Sequence, residues 1–376
     1  MDKKKILYVL GGNYSANGMS AVITQKMNFL AENTDYELTA LMTETSDAPM
    51  YYPLNPSIKI VNFDINFDAL DTMPIYKKAW CYRKKHSIYK RKFTDFLLNE
   101  HYDIVVSAMR REIDFLTGIK DGSKKVGELH FSRKTYRVFN SSLLPQIVNK
   151  TITSYWQNRL LKAIKKLDRF IVLSKEDADA WGNLTNMEII SNPIKEYPSY
   201  ISSCDNKRVI AVGRYTGQKG FDMLIEAWKQ IDKKHPDWEL HIYGTGDKES
   251  YQKCAGHGVY CHEAVKDIYS KYMESSIFVF SSRYEGFGLA LAEAMSCGLP
   301  AVSFACPCGP KDIITDDGIL VEPNDIEGLV NGICKLIEDE NLRKVMGQKG
   351  HQNMRRYDKE FIMQKWVALF QQVLKE

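Results

Sequence analysis

The stretch SSRYEGFGLALAEAMSCGLP, residues 281–300, decides how the rest of the chain is read. It follows the apolar run Ile277-Phe-Val-Phe280, which has the length and composition of a strand buried in a parallel sheet. Gly286 and Gly288 then let the backbone turn sharply and approach a neighbour closely. From Leu289 to Met295 only Glu293 is neither apolar nor small. The segment therefore reads as a helix buried nearly all round, ended by Gly298 and Pro300. A carboxylate inside such a helix is expensive unless it has a partner, and the positive end of the helix is near. Strand, glycine turn, buried helix and the carboxylates Glu285 and Glu293, eight positions apart, describe a ligand site at the carboxyl end of a sheet strand. A purely structural alternative has Glu293 paired with a core arginine and Glu285 capping the helix.

The same theme recurs on both sides. Arg208-Val-Ile-Ala-Val-Gly213 is a strand running into glycine, followed by Arg214, Gly217, Lys219 and Gly220 and a helix from Phe221. Two cations, flexible backbone and a helix N-terminus make a competent diphosphate cradle. Glu239–Tyr243 leads into the turn Gly244-Thr-Gly246, and Ile6–Leu10 leads into GGNYSANGMS, with Gly12 and Gly18. The GGNYSANGMS loop lacks the spacing of a dinucleotide fingerprint, and the loop from Arg214 to Gly220 lacks that of a P-loop. Lys125–Leu129 is a further strand, ending in His130. A histidine there points into the cleft such sheets form, or else is a hydrogen-bonded core residue.

In total 376 residues, 44% hydrophobic and 26% charged, make a folded chain of two moderate domains. No run approaches a membrane span, and MDKKKILYVLGG reads as a first strand rather than a signal peptide. Eight scattered cysteines, with no metal-ligand spacing, indicate a reducing cytoplasm. Asp177 and Asp179 form a D-x-D, but they fall in the first turn of a helix capped by Ser174, where acids favour the dipole; no metal site is expected. The linker is placed at 193–206, between domains 1–192 and 207–355, with a last helix in 356–376 apolar on one face. Both halves alternate strand and helix, so the fold class is α/β, two facing doubly wound sheets.

Three of these segments together resemble the retaining glycosyltransferases of family 4, which have the GT-B fold of two Rossmann-like domains. They are the Gly213-Arg214…Lys219-Gly220 segment, the E-x7-E of Glu285 and Glu293, and the CPCGPKDII turn of residues 306–314. The last is similar to a turn in a subgroup linked to capsular and extracellular polysaccharide synthesis, with Lys311-Asp312 as a departure. A second departure is Asn17-Gly18-Met19-Ser20, where the family often has a Glu-Arg pair. A third is Leu129, where a glutamate commonly precedes the histidine. The resemblance implies transfer of a hexose or N-acetylhexosamine from a nucleotide diphosphate sugar, UDP-linked by family habit, with no cofactor and no metal. It implies Arg214 and Lys219 on the diphosphate, Glu285 and His130 at the sugar, and Glu293 on the ribose diol. Donor contacts from Gly12, Gly18, Gly213, Gly244, Gly246, Gly286, Phe287, Gly288 and Leu289 complete the implied site. It also implies a final helix that crosses back onto the first domain. Two rival readings are a GT-B sugar-nucleotide epimerase and a non-enzymatic nucleotide-sugar-binding protein.

Charge is uneven. Residues 1–192 hold 28 Lys+Arg against 21 Asp+Glu, and residues 193–376 hold 23 against 26. Residues 77–92, KKAWCYRKKHSIYKRK, carry eight Lys/Arg and no acid, with Trp80, Tyr82, Ile88 and Tyr89 interleaved. This reads as a basic amphipathic helix on the inner face of an anionic membrane, which would bring the enzyme to a lipid-linked acceptor. A solvated helix face is the alternative, and nothing else in the chain points to nucleic acid.

Overall fold

The computed structural model describes residues 3–15, 17–45, 47–139 and 145–376, and for Ile75 and Tyr76 the backbone only. Position 16, within the first glycine loop, lies outside them. The first sheet is built from β1 (Lys5–Val9), β2 (Glu37–Met42), β3 (Lys59–Asn62), β4 (Ile104–Ser107), β5 (Lys124–Glu128), β6 (Arg169–Val172) and β7 (Met187–Ile189). The second is built from β8 (Arg208–Val212), β9 (Glu239–Gly244), β10 (Val259–Glu263), β11 (Ile277–Phe280), β12 (Ala301–Phe304) and β13 (Gly318–Val321). The first half contributes the helices α1 (Gly18–Asn33), α2 (Ile75–Glu100), α3 (Gln146–Ile164) and α4 (Lys175–Trp181). Next come α5 (Phe221–Asp232), α6 (Lys248–Cys254), α7 (Ile268–Met273) and α8 (Leu289–Ser296). The chain continues through α9 (Pro310–Ile313), α10 (Ile326–Glu338), α11 (Glu340–Met354) and α12 (Lys359–Lys375).

Every strand pair is parallel, in the orders β3-β2-β1-β4-β5-β6-β7 and β10-β9-β8-β11-β12-β13. Each order reverses once, between β1 and β4 and between β8 and β11, and that reversal opens a crevice at the strands' carboxyl ends. The loops after β8 and β11 are the two glycine loops of the second half, so sequence order and sheet order converge on one crevice. This is the GT-B architecture of two Rossmann-like domains.

The chain passes between the halves twice, and the two passages touch: Ile194 N–H donates to the Tyr357 carbonyl at 2.9 Å. Beyond that point α12 lays Ile362, Met363, Trp366, Phe370 and Val373 into the core of the first sheet, among Ile6, Tyr8, Ile23 and Met27.

The basic segment 77–92 lies on α2, but its aromatic residues do not face out. Tyr89 is fully buried, and Tyr82 and Ile88 pack beside it against Phe67, Phe93 and Phe115. Positions 82, 89, 93 and 97 share one stripe at helical period, so the interleaving is the core face of an ordinary amphipathic helix. Lys85 donates to the Ile65 and Asn66 carbonyls and Lys92 to Phe63, while Lys78 pairs with Asp71. Of the four interleaved residues, only Trp80 stands out in solvent.

Candidate active site

The loops after β8 and β11 are laced together. Lys219 leaves its loop over Gly213, and its Nζ meets Glu285 Oε1 at 2.7 Å. Ser281 Oγ donates to the Lys219 carbonyl at 2.9 Å, and Arg283 N–H donates to the Gln218 carbonyl at 2.8 Å. Gln218 Nε2 returns a bond to the Tyr284 carbonyl at 3.0 Å. Glu285 is therefore an ion-pair partner rather than a helix cap, and α8 starts at Gly288 (φ +97°) with no side-chain cap. Arg214 is exposed, with one long contact of 3.5 Å to Gln218 Oε1. One cation is thus held by the Glu285 carboxylate, while Arg214 at the crevice has only that long contact among the described residues.

Glu293 projects from the second turn of α8, and no described residue donates a hydrogen bond to it. No core arginine partners it. Burial pushes its carboxyl from 4.5 to about 7, with Lys195 pulling weakly the other way. Three tyrosines lie within reach of its charge. Tyr269 and Tyr272 come from α7, and Tyr52 comes from the first half, its hydroxyl raised by burial, by Tyr51 and by the Glu293 charge. Tyr52 is fixed from behind: Asn13 Nδ2 donates to its carbonyl at 2.7 Å, and the Asn17 backbone reaches its hydroxyl. Sequence reasoning missed Tyr52, since nothing in its local pattern sets it apart.

Across the cleft His130 follows β5, almost buried. Its carbonyl lies so close to Gly286 that a Cβ there would overlap it, so the two halves meet backbone to backbone, one residue from Glu285. His130 Nε2 is 3.1 Å from Glu128 Oε1, without the angle of a good hydrogen bond. Glu128 is fully buried and bonded to Lys26 of α1, whose Nζ stands 4.0 Å over the Trp366 ring of α12. Burial opposes ionisation of Glu128, and Lys26 with His130 more than offset it, holding the carboxyl at about 2. Sequence reasoning passed over this pair, although Lys26 lies on the same helical stripe as buried Val22 and Leu30.

The remaining predicted positions divide. Gly12 accepts from Ser20 Oγ at 3.1 Å, and Gly18 opens α1 with free space around it and Asn17 as cap. Gly244 ends β9 against the Gly213 backbone, and Gly246 bridges to Tyr215. Leu289 is the first, half-buried residue of α8, but Phe287 points into the core, its ring edge-on to Tyr357 at 5.2 Å. Phe287 can offer a ligand only its backbone. Asp177 accepts from Arg133 N–H at 2.8 Å and from Trp181 Nε1 at 3.1 Å, while Asp179 is exposed; the D-x-D carboxylates do not converge. The departure at Lys311-Asp312 has a partner: Asp312 accepts from Glu176 N–H at 3.1 Å, and Glu176 accepts from Cys308 N–H at 2.8 Å, tying α4 to the second half.

Residues 206–339, which contain both laced loops, match the family model described as glycosyl transferases group 1. This segment is similar to a group 1 glycosyl transferase domain. The chain is 31% identical over 230 residues to an uncharacterized glycosyltransferase of Haemophilus influenzae, covering 56% of this chain and 65% of that one. It is 31% identical over 236 residues to the amylovoran biosynthesis glycosyltransferase AmsD of Erwinia amylovora, covering 61% and 63%. The matches therefore span just under two thirds of these relatives' own length. Sucrose-phosphate synthase from Thermosynechococcus elongatus superposes with a TM-score of 0.80 at 18% identity, over 99% of this chain and 100% of that one. TarM of S. aureus, solved with Fondaparinux, alpha-GlcNAc-glycerol and UDP, superposes at 0.74 and 16%, over 98% and 100%. At such identities the likeness is one of fold, and it covers the group 1 domain and the first half alike.

Proposed function

We propose that the chain is a retaining glycosyltransferase of family 4 type. It would move a hexose or N-acetylhexosamine from a UDP-sugar to a glycan or lipid-linked saccharide, in surface polysaccharide synthesis. The observation that carries the reading is the Lys219–Glu285 pair at the crevice, with exposed Arg214 beside it and His130 opposite. The diphosphate fits between Arg214, Lys219 and the opening of α8, where positive ends and charges meet an anion. Stabilising that leaving group as charge develops is the main work such a site can do. Glu285, released from Lys219 by the arriving diphosphate, would accept from sugar hydroxyls, and Glu293 from the ribose diol. The His130 carbonyl and ring stand where the sugar would meet the acceptor, which the first half would bind. No second carboxylate is placed as a nucleophile, so attack is from the leaving-group face, with the departing phosphate taking the acceptor proton. In this scheme the protein's cations do the work of a metal.

AmsD, an amylovoran biosynthesis glycosyltransferase, supports the acceptor class, and TarM, crystallised with UDP, supports the donor class. The test is incubation with a panel of nucleotide sugars, with and without chelator, followed by release of UDP and the anomeric configuration of the product. Turnover with retention in excess EDTA is expected. Nucleotide binding without turnover would favour a sensor, conversion of the sugar without UDP release an epimerase, and magnesium-dependent turnover would end the metal-free scheme.

A further inference from the structure

The second domain brings together three side chains for which the transfer chemistry has no use. α10 carries Cys334 and Glu338 one helical turn apart, on one face. His235, 103 positions before Glu338, lies just past the end of α5. Its Nε2 is 3.0 Å from Glu338 Oε1. One donor atom from each residue, imidazole nitrogen, thiol sulfur and carboxylate oxygen, lies within 4.8 Å of the other two. α5 opens directly after Gly220 at the crevice and runs for 12 residues, about 18 Å at 1.5 Å each. The cluster therefore stands at the far end of the domain from the Lys219–Glu285 pair.

Its parts are held from outside. The Lys234 and His235 N–H groups both donate to the Ile231 carbonyl at 2.9 Å, and Trp238 N–H donates to the His235 carbonyl at 3.1 Å. Buried Arg343 of α11 grips both sides of the cluster. Its Nη1 donates to the Leu336 carbonyl in the last turn of α10 at 2.7 Å, and its guanidinium stands 5.3 Å from the Trp238 ring. An ion pair accounts for His235 and Glu338 but not for the sulfur beside them. Cys334 is buried, and its Sγ makes no hydrogen bond among the described residues. Imidazole, thiolate and one carboxylate suit Zn²⁺ and its neighbours, whereas Mg²⁺ and Ca²⁺ want oxygens. Thiolate and carboxylate also neutralise a divalent ion, the thiol proton passing to water as the sulfur–metal bond forms. Tetrahedral bonds of about 2.0–2.3 Å set the donors about 3.3–3.8 Å apart. Glu338, its side chain 60% exposed, can supply that contraction. The Lys234 charge reaches Cys334 and opposes a cation, but Lys234 is exposed and so screened.

We propose that His235, Cys334 and Glu338 form a site for a divalent transition-metal ion of the zinc class, with a fourth position left to water. The ion clamps the end of α5 to the end of α10. It shares no ligand with the crevice, so its test needs neither donor nor acceptor and stands apart from the glycosyltransferase reading. The full chain, stripped with chelator and desalted, is titrated with Co²⁺ under argon. A thiolate-to-cobalt band in the near ultraviolet is expected, saturating with a single ion per chain and displaced by Zn²⁺, and Zn²⁺ raises the thermal melt. His235→Gln lowers Co²⁺ affinity about a hundredfold, and Glu338→Gln about tenfold. Cys334→Ala removes the band, while Cys254→Ser, which takes away an exposed thiol, leaves it. His235 and Glu338 both reach the surface, so their variants stand as the test should Cys334→Ala melt early. The proposal is overturned if wild type shows no such band, or if a folded His235→Gln or Glu338→Gln variant binds Co²⁺ as wild type does. Loss of the band in Cys254→Ser overturns it as well.

Discussion

Glu293 keeps its proton to about 7 because α8 buries it and no described residue donates to it. A carboxyl raised in this way binds its proton more tightly folded than unfolded. The stability it contributes is full below about 4.5 and is lost as pH climbs through about 7, by up to about 3 kcal/mol. Glu293→Gln removes that loss, so the variant should melt above wild type at pH 8 and level with it near pH 4. UDP affinity should move the other way. Measured against the glutamine variant, wild type gains affinity as pH rises through the same window, reaching an advantage of about 1.5–3 kcal/mol. A flat difference across pH in both calorimetry and melting would show that the carboxyl is not in the nucleotide's way. The pair Lys219–Glu285 separates two roles at the neighbouring position. Glu285→Gln frees the ammonium for a diphosphate, so UDP should bind as well or better while transfer falls about 10²-fold. Lys219→Ala should lower both, and equal UDP losses in the two variants would refute that division.

At the level of elements, the strands and glycine loops were legible because each is a short apolar run closed by glycine, a local signal. Contacts between elements were not. The approach of Gly286 to the His130 carbonyl joins residues 156 positions apart and leaves no trace in either neighbourhood. Gly286→Ala must push the halves apart at this contact, and a stability loss of about 1–3 kcal/mol with a drop in transfer is expected from urea titration and assay. The basic segment of α2 shows the opposite failure. Its charge run is plain in the sequence, but the aromatics between the charges lie on the buried face of the helix, and Tyr82, Ile88 and Tyr89 are core. Lys26 and Glu128 were hidden for a third reason: each becomes notable only when the other is opposite. Glu128→Gln should cost about 3–5 kcal/mol by leaving a buried ammonium unpaired, and adding Lys26→Met should recover much of it. Additive losses in a double-mutant cycle would mean the two are not coupled.

For the whole molecule, α12 matters most. Trp366 is buried in the core of the first sheet and covers Lys26. Trp366→Ala should cost about 3–5 kcal/mol, and the loss should appear as early melting of the first domain while calorimetric UDP binding by the group 1 domain persists. If both transitions shift together, the halves unfold as one unit.

That same helix fixes an order of completion. The strands of the first sheet exist once residue 189 has been made, yet one wall of its core arrives roughly 180 residues later. At about 5–20 residues per second the wait on a ribosome is on the order of ten to forty seconds. Throughout it, Tyr8, Met27 and the Lys26–Glu128 pair face water on the side α12 will cover. A chain released early would carry a finished second domain beside a first domain still missing one wall of its core. Completion of the last turns is thus the step that closes the first domain.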